Sequence, residues 1–267
     1  MIQLDNLSFS YGGQTVLHNL SAIFTPGKLY AVLGPNGSGK TTLIRLLGRL
    51  LQPDSGSLCL DSKPYTSYGR KEFARQLALL PQTRPIPAIS VQDLVSHGRF
   101  PYLGLSRTPS KADQAAVAQA MEAVNVQSFA NRDLRQLSGG ERQRVYLALL
   151  LAQDTRYVLL DEPSTYLAAS AQFAVMENLK RMRQSGKCVV TVLHDLNLAL
   201  SFCDELCVLN QGRIVAFGAP EAMVDDGVLD RVFSIHCRPV IVDGVKEYII
   251  RPGGATFFSG GQIWAIW

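Results

Sequence analysis

The stretch LYAVLGPNGSGKTTLIRLLGRLL, residues 29–51, limits what this chain can fold into more than any other segment. The apolar run Tyr30–Leu33 predicts a buried strand, the glycine-rich run Gly34–Gly39 predicts a turn, and Thr41–Leu51 predicts a helix that stops before Pro53. We therefore expect a strand, a turn and a helix in direct succession.

The turn also matches the phosphate-loop pattern G-x-x-x-x-G-K-[ST], at Gly34, Gly39, Lys40 and Thr41. Glycines allow successive backbone N–H groups to surround a phosphate, and the N-terminus of the following helix favours the anion further. We expect Lys40 to reach the β- and γ-phosphates of a nucleotide and the Thr41 hydroxyl to bind Mg²⁺. A glycine-rich turn that binds nothing would not need Lys-Thr at its exit, so the pattern predicts a nucleotide site.

The bulk composition restricts the class of protein. The chain has 267 residues, 47% of them apolar, which is enough for a sizeable core. No stretch approaches the roughly 18 apolar residues of a membrane span, and the N-terminus does not resemble a secretion signal, so we expect a cytosolic location. The five cysteines form no C-x-x-C pair, which favours buried free thiols over a metal site or disulfides. A net charge of +4 without a basic block argues against nucleic acid as the main partner.

Two adjacent carboxylates follow the apolar run Tyr157–Leu160, which predicts a central parallel strand. We expect Asp161 to hold Mg²⁺, directly or through water, and Glu162 to orient or deprotonate an attacking water. The alternative is a solvated strand end, but a buried strand rarely ends in paired acids without a cation nearby.

Two more polar residues stand at the ends of predicted strands. Gln82 follows the run Gln76–Leu80, and His194 follows Cys188–Leu193, which should lie beside the strand that ends at Asp161. Gln82 is then placed to reach the ligand edge of the sheet. A single histidine at a strand end is more often structural than catalytic, but in this context we expect His194 to donate a hydrogen bond to the γ-phosphate.

A second glycine-rich helix start occurs at LSGGE, residues 137–141. Its S-x-x-E spacing predicts a capping box just before an apolar run. Two glycines in a helix cost about 1 kcal/mol each in propensity, which suggests that a ligand must approach the bare backbone. A helix that is only capped, without a ligand, fits the local sequence equally well.

The other segments complete the predicted organisation. Residues 2–24 alternate apolar and polar positions and predict an antiparallel hairpin, with Tyr11 at its turn. Residues 83–136 predict a mainly helical insert that contains an amphipathic helix over 110–126. A second hairpin is predicted over 239–250.

Together these motifs resemble the nucleotide-binding subunit of ABC transporters over residues 2–235. GPNGSGKTT is similar to the Walker A motif of that family, Gln82 to the Q-loop, LSGGE to the signature, VLLDE to Walker B with its catalytic glutamate, and His194 to the switch histidine. Tyr11 is similar to the aromatic residue that stacks on adenine. The resemblance implies the cofactors ATP and Mg²⁺.

The resemblance also implies a role for each matching residue. Contacts to the bound nucleotide come from Tyr11, Gly34, Pro35, Asn36, Gly37, Ser38, Gly39, Lys40, Thr41 and Thr42. Contacts to the nucleotide of a partner copy come from Leu137, Ser138, Gly139, Gly140 and Glu141. Catalysis involves Glu162, His194, Gln82 and Lys40, and the Mg²⁺ site involves Thr41, Gln82 and Asp161.

The fold class implied by the resemblance is α/β, a phosphate-loop NTPase core with an N-terminal antiparallel β subdomain and a helical subdomain. The whole chain, 1–267, forms one such domain. Its parts are the core with the β subdomain at 1–82 and 154–235, the helical and signature subdomain at 83–153, and a hairpin and tail at 236–267.

Three segments narrow the resemblance, namely 48–50, 89–104 and 153–167. They resemble the ATPase subunits of importers for ferric siderophores, haem and vitamin B12, with the ferric hydroxamate member as the nearest likeness. In that family two copies of the ATPase bind two membrane subunits at the cytoplasmic face of the inner membrane, fed by an extracytoplasmic siderophore-binding protein. The implied function is ATP-driven uptake of a ferric siderophore, first of all of the hydroxamate type, with haem or vitamin B12 as the alternative.

One position departs from the family pattern. Family D-loops usually read S-x-L-D after Walker B, whereas residues 164–168 end in Ala168, at the place of an aspartate that helps to join the two copies. This change leaves ATP binding untouched but predicts altered dimer coupling.

The alternative from another functional class is a soluble ABC protein of DNA repair or the ribosome. The chain has a single cassette and lacks coiled-coil heptads between residues 42 and 137, which argues against that class. Export instead of import stays open at this point.

Overall fold

The computed structural model describes residues 1–83, 85–104, 108–165 and 167–253. The strands are β1 (Ile2–Tyr11), β2 (Gln14–Phe24), β3 (Leu29–Leu33), β4 (Ser55–Leu60), β5 (Lys63–Pro64), β6 (Leu77–Leu80), β7 (Tyr157–Asp161), β8 (Cys188–Val192), β9 (Glu205–Asn210), β10 (Arg213–Gly218), β11 (Ile235–Val242) and β12 (Val245–Pro252). The α-helices are α1 (Lys40–Leu47), α2 (Arg70–Gln76), α3 (Val91–Ser96), α4 (Lys111–Ala123), α5 (Gly139–Gln153), α6 (Ala169–Gln184), α7 (Leu196–Phe202), α8 (Pro220–Asp225) and α9 (Val228–Phe233). The tail 254–267 lies outside the described residues.

A six-stranded sheet in the order β10-β9-β3-β8-β7-β6 forms the centre of the molecule. Five of its strands run parallel, and β10 returns antiparallel to β9. Every residue of β3, β7 and β8 is buried, as parallel sheets require when both faces are covered. Parallel strands end at one edge, so the turn after β3 meets Gln82, Glu162 and His194 there. The prediction that β8 lies beside β7 is confirmed.

Alternate residues of the central sheet face two different hydrophobic cores. Tyr30 and Val32 of β3 pack in a core with α1 and the antiparallel strands. Leu29, Ala31 and Leu33 pack in a second core with the helices α3 to α7. Because side chains alternate along a strand, one buried strand joins both layers, and its C-terminal end is held rigidly.

The antiparallel sheet has the order β2-β1-β4-β5. The predicted hairpin over residues 2–24 is confirmed, with Tyr11 paired to Gln14 across the turn. Gly12 and Gly13 both have positive φ, 54° and 85°, which is the conformation that a two-residue hairpin turn of the favoured hand requires.

The segment between β6 and β7 is mainly helical, as the sequence predicts. The predicted amphipathic helix over 110–126 is confirmed as α4, whose buried face includes Val117, Ala120 and Met121. Ser110 caps α4, because its hydroxyl accepts a hydrogen bond from Asp113 N at 3.1 Å. Asp113 also forms a partly buried ion pair with Arg99, Oδ1 to Nε at 2.9 Å, and this pair ties α4 to the turn that follows α3.

The predicted end of the first helix at Leu51 is wrong. Helix α1 ends at Leu47, where Gly48 N donates to Ile44 O at 2.8 Å and Arg49 turns the chain with a φ of 58°. A Cβ built on Gly48 would lie 2.6 Å from a methyl carbon of Leu79, so Gly48 packs closely against β6. Leu50 and Leu51 prolong the apolar pattern in the sequence, and only tertiary packing ends the helix earlier.

The cysteine prediction is confirmed: Cys59, Cys188, Cys203, Cys207 and Cys237 are all free thiols, and all but Cys59 are buried. Burial raises the pKa of the Cys207 thiol to about 12, so this thiol is unreactive at neutral pH. Within the described ranges no helix is long and apolar enough to cross a membrane.

Candidate active site

The loop between β3 and α1 approaches its neighbours closely at two glycines. Gly34 has a φ of 153°, and a Cβ built there would lie 2.2 Å from Leu209 O. Gly39 has a φ of 100°, and its Cβ would lie 2.5 Å from a methyl carbon of Leu17. Both positions therefore exclude a side chain, because either one would collide and strain the backbone.

A buried hydroxyl within this loop has no internal use. Ser38 is almost fully buried, and its Oγ has no hydrogen-bond partner among the described residues. Such a group costs free energy in the isolated chain, and buried unsatisfied groups are rare in native proteins. The loop therefore contains a hydroxyl group that the described protein atoms do not satisfy, as expected for a loop that binds a polar ligand.

Lys40 lies folded over the loop and is only 6% exposed. Its Nζ donates hydrogen bonds to Gly34 O at 2.8 Å and to Pro35 O at 3.0 Å. Burial lowers the pKa of the Lys40 ammonium, and the carboxylates of Glu162 and Asp161 oppose that shift. The charge is thus held at the mouth of the loop by two backbone carbonyls and two nearby acids.

Thr41 and Asp161 bring two oxygens together beside the loop. The Thr41 hydroxyl donates to Asp161 Oδ1 at 3.4 Å, a long hydrogen bond. Burial raises the pKa of the Asp161 carboxyl, and the Thr41 hydroxyl partly opposes this effect. One carboxylate and one hydroxyl suit Mg²⁺, which usually takes one or two protein oxygens and completes its shell with phosphates and water.

Glu162 is the centre of a hydrogen-bonded cluster at the end of β7. Its Oε2 accepts from Gln82 Nε2 at 2.6 Å and from Thr165 Oγ1 at 3.1 Å. Its Oε1 lies 2.5 Å from His194 Nε2. The cluster brings together Gln82, Glu162 and His194, three residues that the sequence predicts to be functional. Gln82 was also expected to bind Mg²⁺, but its amide points here to Glu162 and not to Asp161.

The backbone of Glu162 is strained. Its φ is 53°, in the left-handed region that non-glycine residues seldom occupy. Such a conformation costs on the order of 1–3 kcal/mol and persists only where the surroundings fix it. The left-handed residue turns the chain sharply after β7 and directs the carboxylate along the edge of the sheet.

An open cleft of about 270 Å³ lies against the loop. Its lining consists of Val16, Asn36, Gly37, Gly39, Lys40, Thr41, Thr42, Glu162 and His194. Sequence reasoning missed Val16, because an apolar residue of β2 looks like any inward position of a hairpin. Tyr11 is absent from this lining; its ring is 43% exposed and packs edge-on against Phe9 with 4.7 Å between ring centroids.

The LSGGE segment forms the predicted capping box at the start of α5. Glu141 N donates to Ser138 Oγ at 3.3 Å, and Ser138 N donates to Glu141 Oε2 at 2.8 Å. A Cβ built on Gly139 would meet nothing within 4 Å, and one on Gly140 would meet only the Ala171 Cβ at 3.8 Å. Packing among the described residues of one copy therefore does not require these glycines, and Gly139 lines a cleft of about 220 Å³ that also reaches Gln82 and Glu162.

Ala168 occupies the N-cap position of helix α6. Its φ of −63° and ψ of 152° are typical of an N-cap, and no side-chain cap is formed. Ala168 O accepts from Ala171 N at 2.9 Å and from Gln172 N at 3.0 Å, so the helix begins at Ala169. An aspartate, which the related D-loop pattern carries here, would be a good N-cap residue, whereas alanine is a poor one.

Comparison with known proteins now decides the family. The family described as ABC transporter matches residues 17–165 of the chain. The chain belongs to this family. It is an ABC-type ATP-binding subunit, and the α/β phosphate-loop fold that the sequence predicts is confirmed.

Several relatives are similar over nearly the full chain. The ferric enterobactin transport ATP-binding protein FepC of Escherichia coli (strain K12) is 40% identical over 254 residues, 94% of each chain. The achromobactin transport ATP-binding protein CbrD of Dickeya dadantii (strain 3937) is 40% identical over 88% of each chain. The iron(3+)-hydroxamate import ATP-binding protein FhuC of Bacillus subtilis (strain 168) is 33% identical over 90% of each chain.

Solved structures of ABC proteins share the fold. A metal-chelate-type ABC transporter in an inward-facing conformation matches 94% of this chain and 96% of its own, with a TM-score of 0.81 and 26% identity. The dimeric ATP-binding cassette MJ0796, in a post-hydrolysis state with ADP and Pi, matches 82% of this chain and 99% of its own, with a TM-score of 0.72 and 27% identity.

Proposed function

We propose that this chain binds and hydrolyses ATP as the energy-coupling subunit of an importer for a ferric siderophore. The observation that carries the proposal is the edge of the central sheet, where Lys40, Asp161 and the cluster of Glu162 with Gln82 and His194 meet beside an open phosphate loop. Relatives named for the transport of enterobactin, achromobactin and ferric hydroxamates support the cargo class.

The phosphate loop holds the nucleotide. Its backbone N–H groups and the N-terminus of α1 bind the phosphates, and the nucleotide exchanges the two loop carbonyls for its own oxygens as partners of the Lys40 ammonium. The residues assigned to this contact are Gly34, Pro35, Asn36, Gly37, Ser38, Gly39, Lys40, Thr41 and Thr42, with Val16 and Tyr11 on the adenosine side. When bound by Thr41 and Asp161, with Gln82 close by, Mg²⁺ neutralises charge on the phosphates.

Glu162 acts as the base for the attacking water. Its carboxylate stands at the cleft, within hydrogen-bond distance of His194, whose side chain is 44% exposed and free to turn toward a γ-phosphate. Gln82 orients the same carboxylate from the opposite side. The water oxygen bonds to the γ-phosphorus while the bond between that phosphorus and the bridging oxygen breaks, and ADP leaves with the bridging oxygen. The proton of the water moves to Glu162, and Lys40 stabilises the charge that develops on the phosphate oxygens.

A second copy of the chain completes the site. Among the residues that the structure describes, none packs so closely on the glycines of LSGGE that they are required, and the N-terminus of α5 is suited to an anion. In this proposal Leu137 fixes the start of that helix from the core, while Ser138, Gly139, Gly140 and Glu141 cap the nucleotide bound by the partner copy. The dimeric state of the related MJ0796 cassette supports the arrangement.

The partner in the membrane contacts the segment between β6 and α4. Two large apolar side chains are exposed there, Ile86 at 43% and Phe100 at 54%. Aromatic side chains such as that of Phe100 are enriched at protein interfaces, which supports this segment as the contact surface. The chain therefore acts as a peripheral subunit at the cytoplasmic face of the inner membrane, below permease subunits that receive cargo from an extracytoplasmic siderophore-binding protein.

The proposed parts of the chain are the core with the β subdomain (1–82 and 154–235), the helical subdomain (83–153) and the C-terminal hairpin and tail (236–267).

The cargo has to be identified with the assembled complex, because in this proposal the permease subunits and the binding protein contact the substrate. The test is to purify the tagged chain from its native membrane with its partners, place the complex in liposomes with its binding protein, and measure ATP-dependent uptake. We expect radiolabelled iron to enter with a siderophore, tested first with the hydroxamate type and then with enterobactin. Haem and vitamin B12, each carrying its own label, test the alternative cargo. Uptake of none of these, or outward transport, would contradict the proposed function.

A further inference from the structure

We propose that Thr165 is a positioning residue that fixes the orientation of the Glu162 carboxylate during hydrolysis. The inference rests on the proposed ATPase function and adds a residue to its machinery. Thr165 lies three positions after Glu162, in the turn that leaves β7 and within the D-loop segment 164–168, and the sequence patterns used above predict no role for it toward Glu162.

The contact is direct and specific to one oxygen. Thr165 Oγ1 donates to Glu162 Oε2 at 3.1 Å, and Thr165 lines the cleft that also contains Gln82 and Gly139. The second carboxylate oxygen, Oε1, is oriented toward His194 and the cleft beside the phosphate loop. A donor on Oε2 therefore fixes the rotation of the carboxylate and leaves Oε1 as the atom that faces the nucleotide.

The three donors to Glu162 differ in where they are anchored. Gln82 follows β6 and His194 follows β8, so each can part from Glu162 when its own loop moves. In the proposed mechanism His194 also turns toward the γ-phosphate, and Gln82 also lies close to Mg²⁺, so either donor can give up its bond to Glu162. Thr165 lies in the same turn as Glu162, with Thr165 N 3.5 Å from Glu162 O, and moves with it.

The local backbone explains why a side-chain donor is needed. Glu162 has a φ of 53°, and the next residue is Pro163, which has no N–H group to offer the carboxylate. Further along the turn, the first side chain that donates a hydrogen bond to this carboxylate is that of Thr165, through its hydroxyl. A base must stay within hydrogen-bond distance of its water at a fixed angle, and an unanchored carboxylate loses that geometry.

The decisive variant is Thr165→Val, which keeps the shape of the side chain and removes its hydroxyl. In the assembled transporter we expect kcat for Mg-ATP to fall by about tenfold or more, as for the loss of a hydrogen bond to a charged group. We expect KM for ATP and nucleotide affinity to stay within about twofold, because the phosphate loop is untouched. Equal losses in kcat and in nucleotide affinity would overturn the proposal in favour of a structural role.

Two further variants separate the hydroxyl from the fold. Thr165→Ser keeps a donor at the same place and should restore most of kcat, and a loss as large as that of Thr165→Val would refute the role of the hydroxyl. Thr66→Val makes the same chemical change at an exposed site in the turn after β5. We expect that control to have wild-type kcat and thermal stability.

A double variant tests whether Thr165 acts through Glu162. In a Glu162→Gln background the hydroxyl has no base to orient, so Thr165→Val should have no additional effect on the residual rate. Additive losses would contradict the proposal. Wild-type protein that does not hydrolyse Mg-ATP in the assembled complex would refute the proposed function itself, whereas normal hydrolysis by Thr165→Val overturns only the positioning role.

Discussion

At the scale of single residues, burial decides how Lys40 behaves. The sequence places it at the exit of an exposed-looking loop, but the structure buries it against the carbonyls of Gly34 and Pro35. Removing the ammonium eliminates the free-energy cost of burying its charge, which is also what lowers its pKa. Removal also leaves two backbone carbonyls without their hydrogen-bond donor. These two effects oppose each other in the nucleotide-free chain.

We predict that Lys40→Met abolishes ATP hydrolysis and weakens ATP binding by at least about tenfold, with a change in unfolding free energy of no more than about 1 kcal/mol. Methionine retains the length and packing of the side chain but cannot hold phosphate. Fluorescent-nucleotide binding and urea unfolding measure the two quantities. Hydrolysis at the wild-type rate would refute the phosphate-loop assignment, and Lys71→Met, at an exposed helix position, is the matched control.

The second residue-scale prediction concerns Ala168. Ala168→Asp should stabilise the chain by about 1 kcal/mol, because it supplies the missing N-cap of α6. We also expect it to strengthen ATP-driven dimerisation and raise the cooperativity of hydrolysis, through a charge-assisted bond to the partner copy.

Ala168→Asn separates these two effects, since asparagine caps a helix without adding charge. Both variants should raise the unfolding free energy, and only aspartate should raise the Hill coefficient of ATPase activity in the assembled transporter. Identical Hill coefficients in all three proteins would mean that the position carries no coupling here.

At the scale of elements, caps and close contacts set the helix boundaries. Helix α5 starts where its capping box predicts. Helix α1 ends four residues early, because Gly48 approaches Leu79 and Arg49 adopts a positive φ. Local signals thus determine helix starts well, while a helix end against a sheet depends on a neighbour distant in sequence.

The link between α4 and the turn after α3 provides a pH prediction. Hydrogen bonds from Ser110, and then the guanidinium of Arg99, lower the pKa of Asp113 to about 2 from an ordinary value of 3.8. The folded-state pKa lies below the unfolded one, so Asp113 stabilises the fold fully above about pH 4. This contribution, on the order of 2 kcal/mol, is lost as the pH falls toward 2.

We therefore expect Asp113→Asn to lower the unfolding free energy by about 1–3 kcal/mol at pH 7, and the difference from wild type to shrink steadily between pH 4 and pH 2. Urea unfolding at several pH values measures it. Glu177→Gln, in an exposed pair with Lys180, serves as control and should change stability by less than about 0.5 kcal/mol. A pH-independent difference would contradict the shifted pKa of Asp113.

At the scale of the whole molecule, one copy holds only part of the proposed site. The cleft at the phosphate loop is open, and Gly139 of LSGGE in the same copy lines a different cleft. The described residues of one copy leave space at both LSGGE glycines, which is explained if the nucleotide of another copy approaches them.

We predict that Glu162→Gln binds ATP, does not hydrolyse it, and forms a stable dimer at saturating Mg-ATP. The amide is nearly isosteric with the carboxylate but cannot accept the proton of water. Size-exclusion chromatography with light scattering should show the dimer with ATP and the monomer with ADP. A Glu162→Gln, Gly139→Trp variant should remain monomeric with ATP, and a monomer for Glu162→Gln itself would count against the two-copy site.

The sequence by itself determined the order of the elements, the phosphate loop and the polar residues at three strand ends. These features follow from local rules: apolar periodicity, glycine at fixed offsets and residues that cap helices. That Gln82, Glu162 and His194 would meet was predictable, because parallel strands end at one edge of the sheet.

Only the tertiary structure decided which atoms touch. It directed the Gln82 amide to Glu162, buried Lys40 on its own loop, added Val16 and Thr165 to the site, and made Ala168 an uncapped helix start. Such contacts depend on side-chain rotation and on packing between segments far apart in the chain. No pattern within a short window of sequence carries that information, because each contact is fixed by neighbours that the window does not contain.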